Sequence, residues 1–234
     1  MTHAKTIRIL GGGAAQGLVE ALQSSFEART ACRIDGEFGA VGAMKARLLA
    51  GEPVDIMILS HALIDGLARD GYVVARSAKD IGAVQTAIAV RSGDPAPTVG
   101  SAAELRAALL ASDAVHFPDP EQSTAGIHFA KVLRDLGIRD ALADRLRPAP
   151  NGATAMRALA ASTSRRPVGC TQATEIIATP GIVVVAALPP GCDLATVYSC
   201  AIAAEAAAPA EAAEFIAMLS GDPARDSRRR LGFV

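Results

Sequence analysis

Between Thr6 and Asp70 the chain runs again and again from a short apolar segment, through small residues, into an amphipathic helix. Residues 6–10 read as a strand, and residues 15–29 as a helix whose apolar face is Leu18, Leu22 and Phe26. Residues 33–38 form a second strand, followed by a helix over 41–50 that Gly51 ends. Residues 54–59 form a third, followed by a helix over 61–70 that Gly71 ends. Such alternation builds a mostly parallel sheet covered by helices, an α/β fold. At 234 residues, 50% of them hydrophobic, the chain can bury a substantial core. With no Trp, 2 Tyr and 6 Phe, that core must come from Ala, Val, Leu and Ile.

The pattern changes further on. Residues 85–91 and 196–203 read as long strands and as candidate crossovers. If both join the same pair of lobes, residues 84–196 are a second lobe inserted into a first made of residues 1–83 and 197–234. Inside the insertion, Ser101 to Glu104 fits a capping box ahead of Leu105, Ala108 and Leu109. Phe129, Val132, Leu133 and Leu136 repeat at i, i+3, i+4, i+7, one face of a helix. Strands are expected over 114–117, 168–171 and 182–188, and a helix over 151–162. Pro209 suits the first turn of a helix over 209–220.

Several function classes drop out. The net charge is −1 and no basic stripe is interleaved with aromatics, so no nucleic-acid partner is expected. The opening MTHAKTIRILGGG does not read as a secretory signal, because its apolar run is short and broken by Arg8. As written, the chain is expected in the cytoplasm, or in the periplasm if it is a processed mature form. No stretch approaches the ~20 apolar residues of a membrane span, so no membrane insertion is expected. The 4 cysteines, Cys32, Cys170, Cys192 and Cys200, lack C-x-x-C spacing and read as free, mostly buried thiols. No zinc signature, P-loop, nucleophile elbow or paired-carboxylate motif is present. Neither metal nor cofactor is expected, and covalent or metal-dependent hydrolysis is disfavoured. The basic end DSRRRLGFV reads as a solvated face or a docking patch.

Small-residue loops that feed helix starts are the candidate sites. In LGGGAAQG, Gly11 and Gly13 occupy the first two glycine positions of a dinucleotide fingerprint, but Gln16 stands at the third. A tight turn or an anion cradle built on Gly12, Gly13 and Ala14 remains. Val41 and Gly42 open the next helix, and Ser123, Thr124 and Ala125 another. Helix N-termini gathered outside the carboxyl ends of strands hold anions with unpaired N–H groups and roughly half a positive charge each. Ser123 or Thr124 acting only as a helix cap, worth about 1 kcal/mol, is compatible with that role. Asn151 opens one further helix, and Gln172, at a strand end, suits a carboxylate or an amide. Glu175 reads as a solvated or first-turn residue, or as a general base.

In order along the chain, FGAVGAMKARLLAGEPVDIMILS, DPEQSTAGIHFAKVLRDLGI and VGCTQATEIIATPGIVVVAALPPG resemble segments of the type II periplasmic binding proteins of the molybdate-binding family. The resemblance runs from Thr6 to about Leu219. It implies two α/β lobes joined by two crossover strands, with a ligand in the interlobe cleft. By position it implies contacts from Gly13, Ala14, Val41, Gly42, Thr124, Ala125, Asn151 and Gln172. Molybdate binders carry hydroxyls on the first two loops, whereas Gly, Ala and Val stand here, and a Tyr often near the last contact is replaced by Gln172. The resemblance therefore implies a binder of a small anion, oxyanion or organic carboxylate. An ABC permease enters as partner only if the chain is exported. The alternative, through the aconitate-isomerase-like branch, is a cofactor-independent cytoplasmic isomerase of a small unsaturated di- or tricarboxylate. That reading needs a base, and the candidates are His61, His128 and Glu175. A sensor stripped of its DNA-binding part is a weaker third reading, since no helix-turn-helix region is present.

Overall fold

The computed structural model describes residues 5–234. In chain order the elements are β1 (Thr6–Gly12), α1 (Gln16–Thr30), β2 (Arg33–Gly39), α2 (Val41–Leu49), β3 (Ile56–Ser60), α3 (His61–Arg69), β4 (Lys79–Arg91), α4 (Ala102–Ala111) and β5 (Ala114–Pro118). They continue as α5 (Thr124–Asp135), β6 (Leu146–Ala149), α6 (Gly152–Ala160), β7 (Pro167–Gln172), α7 (Ala173–Ile177), β8 (Ile182–Ala187), β9 (Ala195–Ile202), α8 (Pro209–Ser220) and α9 (Arg225–Arg230). The chain divides into two compact units, one made of the residues up to Ala83 together with Val197–Val234, the other of Val84–Thr196. Each of β4 and β9 carries the chain across that division.

In the first unit, β1 lies between β2 and β3 and pairs parallel with both, while β9 runs antiparallel to β3. The IMIL run of β3 is buried throughout because both faces of the sheet are covered, so it reads as continuously apolar rather than alternating. α1 buries Leu18, Leu22 and Phe26, and Phe26 meets Phe215 of α8 with ring centroids 4.9 Å apart. Asp55, 3% exposed, anchors the entry to β3. Its Oδ2 accepts the Arg8 N–H at 2.8 Å and its Oδ1 accepts the Ala208 N–H at 2.9 Å, so one carboxylate ties β1 to the segment ahead of α8.

In the second unit, β7, β5 and β6 are parallel, and β4 runs antiparallel to both β7 and β8. Alternation along β5 sends Val115 and Phe117 to one face, where they pack with Phe129, Val132 and Leu133 of α5. The opposite face is covered by α6 through Ala155, Met156 and Leu159. Gly169 of β7 makes room there, since a Cβ would lie 2.7 Å from Met156 Cε and Leu159 Cδ2. His116, paired with Gly169 across the strands, is 6% exposed, and neither ring nitrogen has a partner among the described residues.

Sequence and structure differ mostly at element ends. β1 runs through Gly11 and Gly12, which pair with Phe38 and Gly39, instead of stopping at Leu10. β6, with its arginine and proline, carries no period that marks a strand; pairing with β5 makes it one. Ser101 does cap α4, accepting the Glu104 N–H at 3.2 Å. The 4 cysteines are free and buried.

Two outcomes follow from this packing. A Cβ at Gly126 would lie 2.1 Å from the Asp119 carbonyl oxygen and 2.4 Å from that of Pro118, whereas at Gly66 it would meet only Arg69 Nη2, at 4.0 Å. In urea unfolding, Gly126→Ala is expected to lose about 1–3 kcal/mol. Gly66→Ala, inside α3, is expected to gain about 0.5–1 kcal/mol. Burial holds the His116 imidazole below its ordinary value of 6.5, with the positive charge of Arg147 adding to the effect. The unfolded chain then takes up a proton that the folded chain refuses, so stability falls as pH drops below that ordinary value. The unfolding midpoint should decline between about pH 7 and pH 5, and His116→Leu should lose that part of the decline.

Candidate functional site

The first unit brings together two of the small-residue loops and the start of α3. β1, β2 and β3 are parallel, so their carboxyl ends share one edge of the sheet. β1 passes into a 3-10 turn over Gly13–Ala15, β2 into α2 and β3 into α3. Gly12 is extended, with φ −63° and ψ 142°, and none of Gly11, Gly12 or Gly13 adopts the left-handed region. These glycines are therefore not required by a left-handed turn. Gly11 and Gly12 are required by space, because a Cβ on Gly11 would sit 2.7 Å from the Phe38 ring. On Gly12 it would sit 2.8 Å from Val41 Cγ1 and 3.0 Å from Tyr198 Cε1. The close approach places Gly12, Val41 and the buried Tyr198 side by side. Ala14 is buried, and Gly13 and Gly42 are half-buried. No side chain caps α2, whose N-cap is Ala40, or α3, whose N-cap is Ser60.

His61 opens α3 but does not stand free. Its Nδ1 lies 2.9 Å from Asp80 Oδ1 and 3.1 Å from Ser199 Oγ, and its Nε2 lies 3.2 Å from Asp65 Oδ2. Ser199 Oγ also donates to Asp80 Oδ1 at 2.6 Å. The hydrogen bond and charge of Asp80 hold the imidazole above its ordinary value, and Asp65 adds to this. Burial works against the charged form of Asp80, but the bonds from Ser199 and His61 together outweigh it and keep that carboxyl low. The two partners agree on an imidazolium–carboxylate pair. Serine, histidine and aspartate meet here without a nucleophile's geometry, since Ser199 donates to the aspartate rather than to the imidazole. Sequence reasoning missed Asp80, Ser199 and Tyr198, which enter from the crossover strands β4 and β9 with no local signature.

In the second unit the adjacent parallel ends of β7, β5 and β6 lead to Gln172, to Ser123 and Thr124, and to Asn151. Asp119 Oδ1 accepts the N–H groups of Glu121 and Gln122 at 2.7 and 2.9 Å and shapes the loop ahead of α5. Ser123, 8% exposed, is the N-cap of α5, yet its side chain makes no capping bond. Ala125 is buried in the first turn. Asn151 is different: its Oδ1 accepts the Thr154 N–H at 2.8 Å and caps α6. Gln172, 2% exposed, donates from Nε2 to Thr196 Oγ1 at 3.4 Å. Its Oε1 and the hydroxyls of Thr86 and Thr174 have no partner among the described residues. Thr86 faces Gln172 in the β4–β7 register, and its only signal in the sequence is one hydroxyl within an apolar strand.

Glu175 corrects the solvated reading. It lies in the first turn of α7 but is 6% exposed, and its Oε2 accepts the Thr171 hydroxyl at 2.5 Å. Burial pushes its carboxyl up, while Thr171 and the backbone N–H groups of Gln172, Ala153 and Gly152 pull the other way. His128 Nε2 meets the Cys192 carbonyl oxygen at 2.7 Å. No group of three or more His, Cys, Asp or Glu among the described residues could hold a metal ion. No helix among them is long and apolar enough to cross a membrane.

A profile of the family described as bacterial extracellular solute-binding protein matches residues 7–234. The chain is 26% identical over 228 residues to an aconitate isomerase from a Pseudomonas species, covering 94% of this chain and 84% of that protein. The periplasmic molybdate-binding protein of Azotobacter vinelandii superposes with a TM-score of 0.80 at 17% identity, over 97% of this chain and 98% of that one. The sulfate-binding protein SubI of Mycobacterium tuberculosis H37Rv superposes with a TM-score of 0.78 at 16% identity, over 98% of this chain and 86% of that one. These likenesses establish the type II periplasmic-binding-protein fold.

The His61 pairing gives a pH signature of definite sign. A raised imidazole contributes stability that is fully present below its ordinary 6.5 and is lost as pH rises through its folded value. His61 and its carboxylates are about half exposed, so water screens the pair and the gain is at most about 1 kcal/mol. Thermal melts of wild type should weaken relative to His61→Gln as pH is raised from about 6 to 9. Parallel curves would count against the pairing.

Proposed function

The chain belongs to the bacterial extracellular solute-binding protein family, and we propose that it binds a small anion at the loops leaving its parallel strands, an organic carboxylate in preference to a tetrahedral oxyanion. The observation that carries this reading is the start of α5. Its N-cap serine is nine-tenths buried and makes no capping bond, so first-turn N–H groups, which no helix can satisfy internally, stay available to an external acceptor. The uncapped starts of α2 and α3 support it from the first unit. The buried amide of Gln172 supports it from the second through Nε2, which carries a second N–H beyond the one given to Thr196. The first-unit loops offer backbone and methyl groups rather than the hydroxyls that would coordinate a tetrahedral dianion. A flat carboxylate with an organic body suits such walls better.

Isomerisation is the second reading, favoured by the 26% identity to an aconitate isomerase. It requires a base that can reach a C–H bond. His61 holds its proton between carboxylates, and Glu175 accepts bonds from the start of α6. Neither is set up as a free base, so binding is the favoured function.

Thermal melting against molybdate, tungstate, sulfate, citrate, cis- and trans-aconitate, itaconate and maleate tests the proposal. A ligand present at 100 times its Kd should add about 2.7 kcal/mol. A carboxylate is expected to give that shift, and Gln172→Ala is expected to weaken it about tenfold or more through the loss of a hydrogen bond to a charged group. Shifts confined to the tetrahedral oxyanions would overturn the carboxylate preference, and no shift with any member would sink the anion reading. Following the aconitates by NMR for hours separates the two activities, since a binder leaves the isomer ratio unchanged.

A further inference from the structure

Two helices of the second unit begin beside each other, after the adjacent strands β5 and β6, and their N-termini are treated in opposite ways. At α5 no side chain takes the first-turn donors. At α6 acceptors stand at the first turn. The Thr154 N–H goes to Asn151 Oδ1 at 2.8 Å and the Ala155 N–H to the Asn151 carbonyl at 3.0 Å. The carboxyl of Glu175, which comes from α7, lies against the N–H groups of Gly152 and Ala153, which pull its titration down against burial. That carboxyl lies so close to the helix start that a Cβ on Gly152 would be 1.9 Å from Glu175 Oε2 and 2.3 Å from its Cδ. The same group accepts the Thr171 hydroxyl at 2.5 Å and the Gln172 N–H. Backbone N–H groups can only donate, so those that face the carboxyl favour its ionised form and work against the burial that raises it.

We propose that Glu175 is a resident anion: it occupies the N-terminus of α6 in the way a ligand carboxylate would, and it clamps the 151–153 loop to the 171–172 strand end. The start of α5 and Gln172 then remain as the groups of this unit that an external anion can use. This consequence for the ligand rests on the anion reading above; the occupancy of α6 does not. Asn151, which resemblance to the family would make a ligand contact, is a positioning residue on this assignment. A second carboxyl of a ligand directed at α6 would meet a carboxyl already there, so the ligand is selected for charge concentrated at α5.

Backbone amide spectra of 15N-labelled protein, titrated with sodium formate, test this. In wild type the Gly152 and Ala153 amide signals should not move. In Glu175→Ala, formate can enter the space left by the side chain, and both signals should shift saturably. In Glu175→Gln, which keeps the bulk but loses the charge, both should differ from wild type before any formate is added and should then ignore it. Unmoved Gly152 and Ala153 signals in Glu175→Ala, or formate-driven movement of them in wild type, would overturn the assignment. If Glu175→Ala does not fold, wild-type positions for both signals in Glu175→Gln would overturn it. The anion reading is scored separately, by the Thr124 and Ala125 amides of wild type under a carboxylate from the melting panel. Silence there with a formate response in Glu175→Ala removes the external ligand and leaves Glu175 in its role.

Discussion

A helix starts with backbone N–H groups that its own turns cannot satisfy, and this chain starts a helix or a 3-10 turn after most of its parallel strands. Burying such donors without an acceptor costs about 1–3 kcal/mol each. Much of the molecule can be understood from where the acceptors come from. Asn151 and Glu175 supply them at α6, and Ser101 supplies one at α4. α2, α3 and α5 have no side-chain cap, and these are the helices whose starts carry Val41 and Gly42, His61, and Thr124 and Ala125. α1, α7, α8 and α9 also start without a side-chain cap, so an open start marks a candidate site only together with the loop residues beside it.

Buried carboxylates do the closing in both units. Asp55 ties the entry of β3 to β1 and to the segment before α8 by accepting two backbone N–H groups. Glu175 does the equivalent between α6 and the end of β7. Each carboxyl group is buried where donors face it, the condition under which burying a carboxyl is tolerable. His61, by contrast, is held by carboxylates at a half-exposed position, which makes its contribution small and pH-dependent.

Glycines around the candidate loops act by what they leave out. Gly11 and Gly12 make room for Phe38, Val41 and Tyr198, Gly126 for the carbonyls of Pro118 and Asp119, and Gly152 for a carboxyl group. In each case a backbone approaches something bulky more closely than a Cβ would permit. The glycine run after β1 suggests a turn when read alone, because a sequence does not distinguish glycine needed for a left-handed φ from glycine needed for space.

Local order was legible in the sequence. Hydrophobic period, cap residues and helix-ending glycines are properties of neighbouring residues, and they place the alternating strands and helices, the Ser101 cap and Pro209 at the start of α8. The position of Gln172 at a strand end, and of Ser123 and Thr124 at a helix start, follows from the same short-range rules. What only the tertiary structure decided are partnerships across long stretches of chain: Asp80 and Ser199 on His61, Tyr198 against Gly12, Thr86 beside Gln172, and Glu175 on the start of α6. Sequence periodicity reports which face of an element is apolar, but a hydrogen bond depends on which elements the fold sets side by side. For that reason the same chemistry, a carboxylate near a helix start, read as a solvated residue or a general base until the packing of α7 against α6 turned it inward.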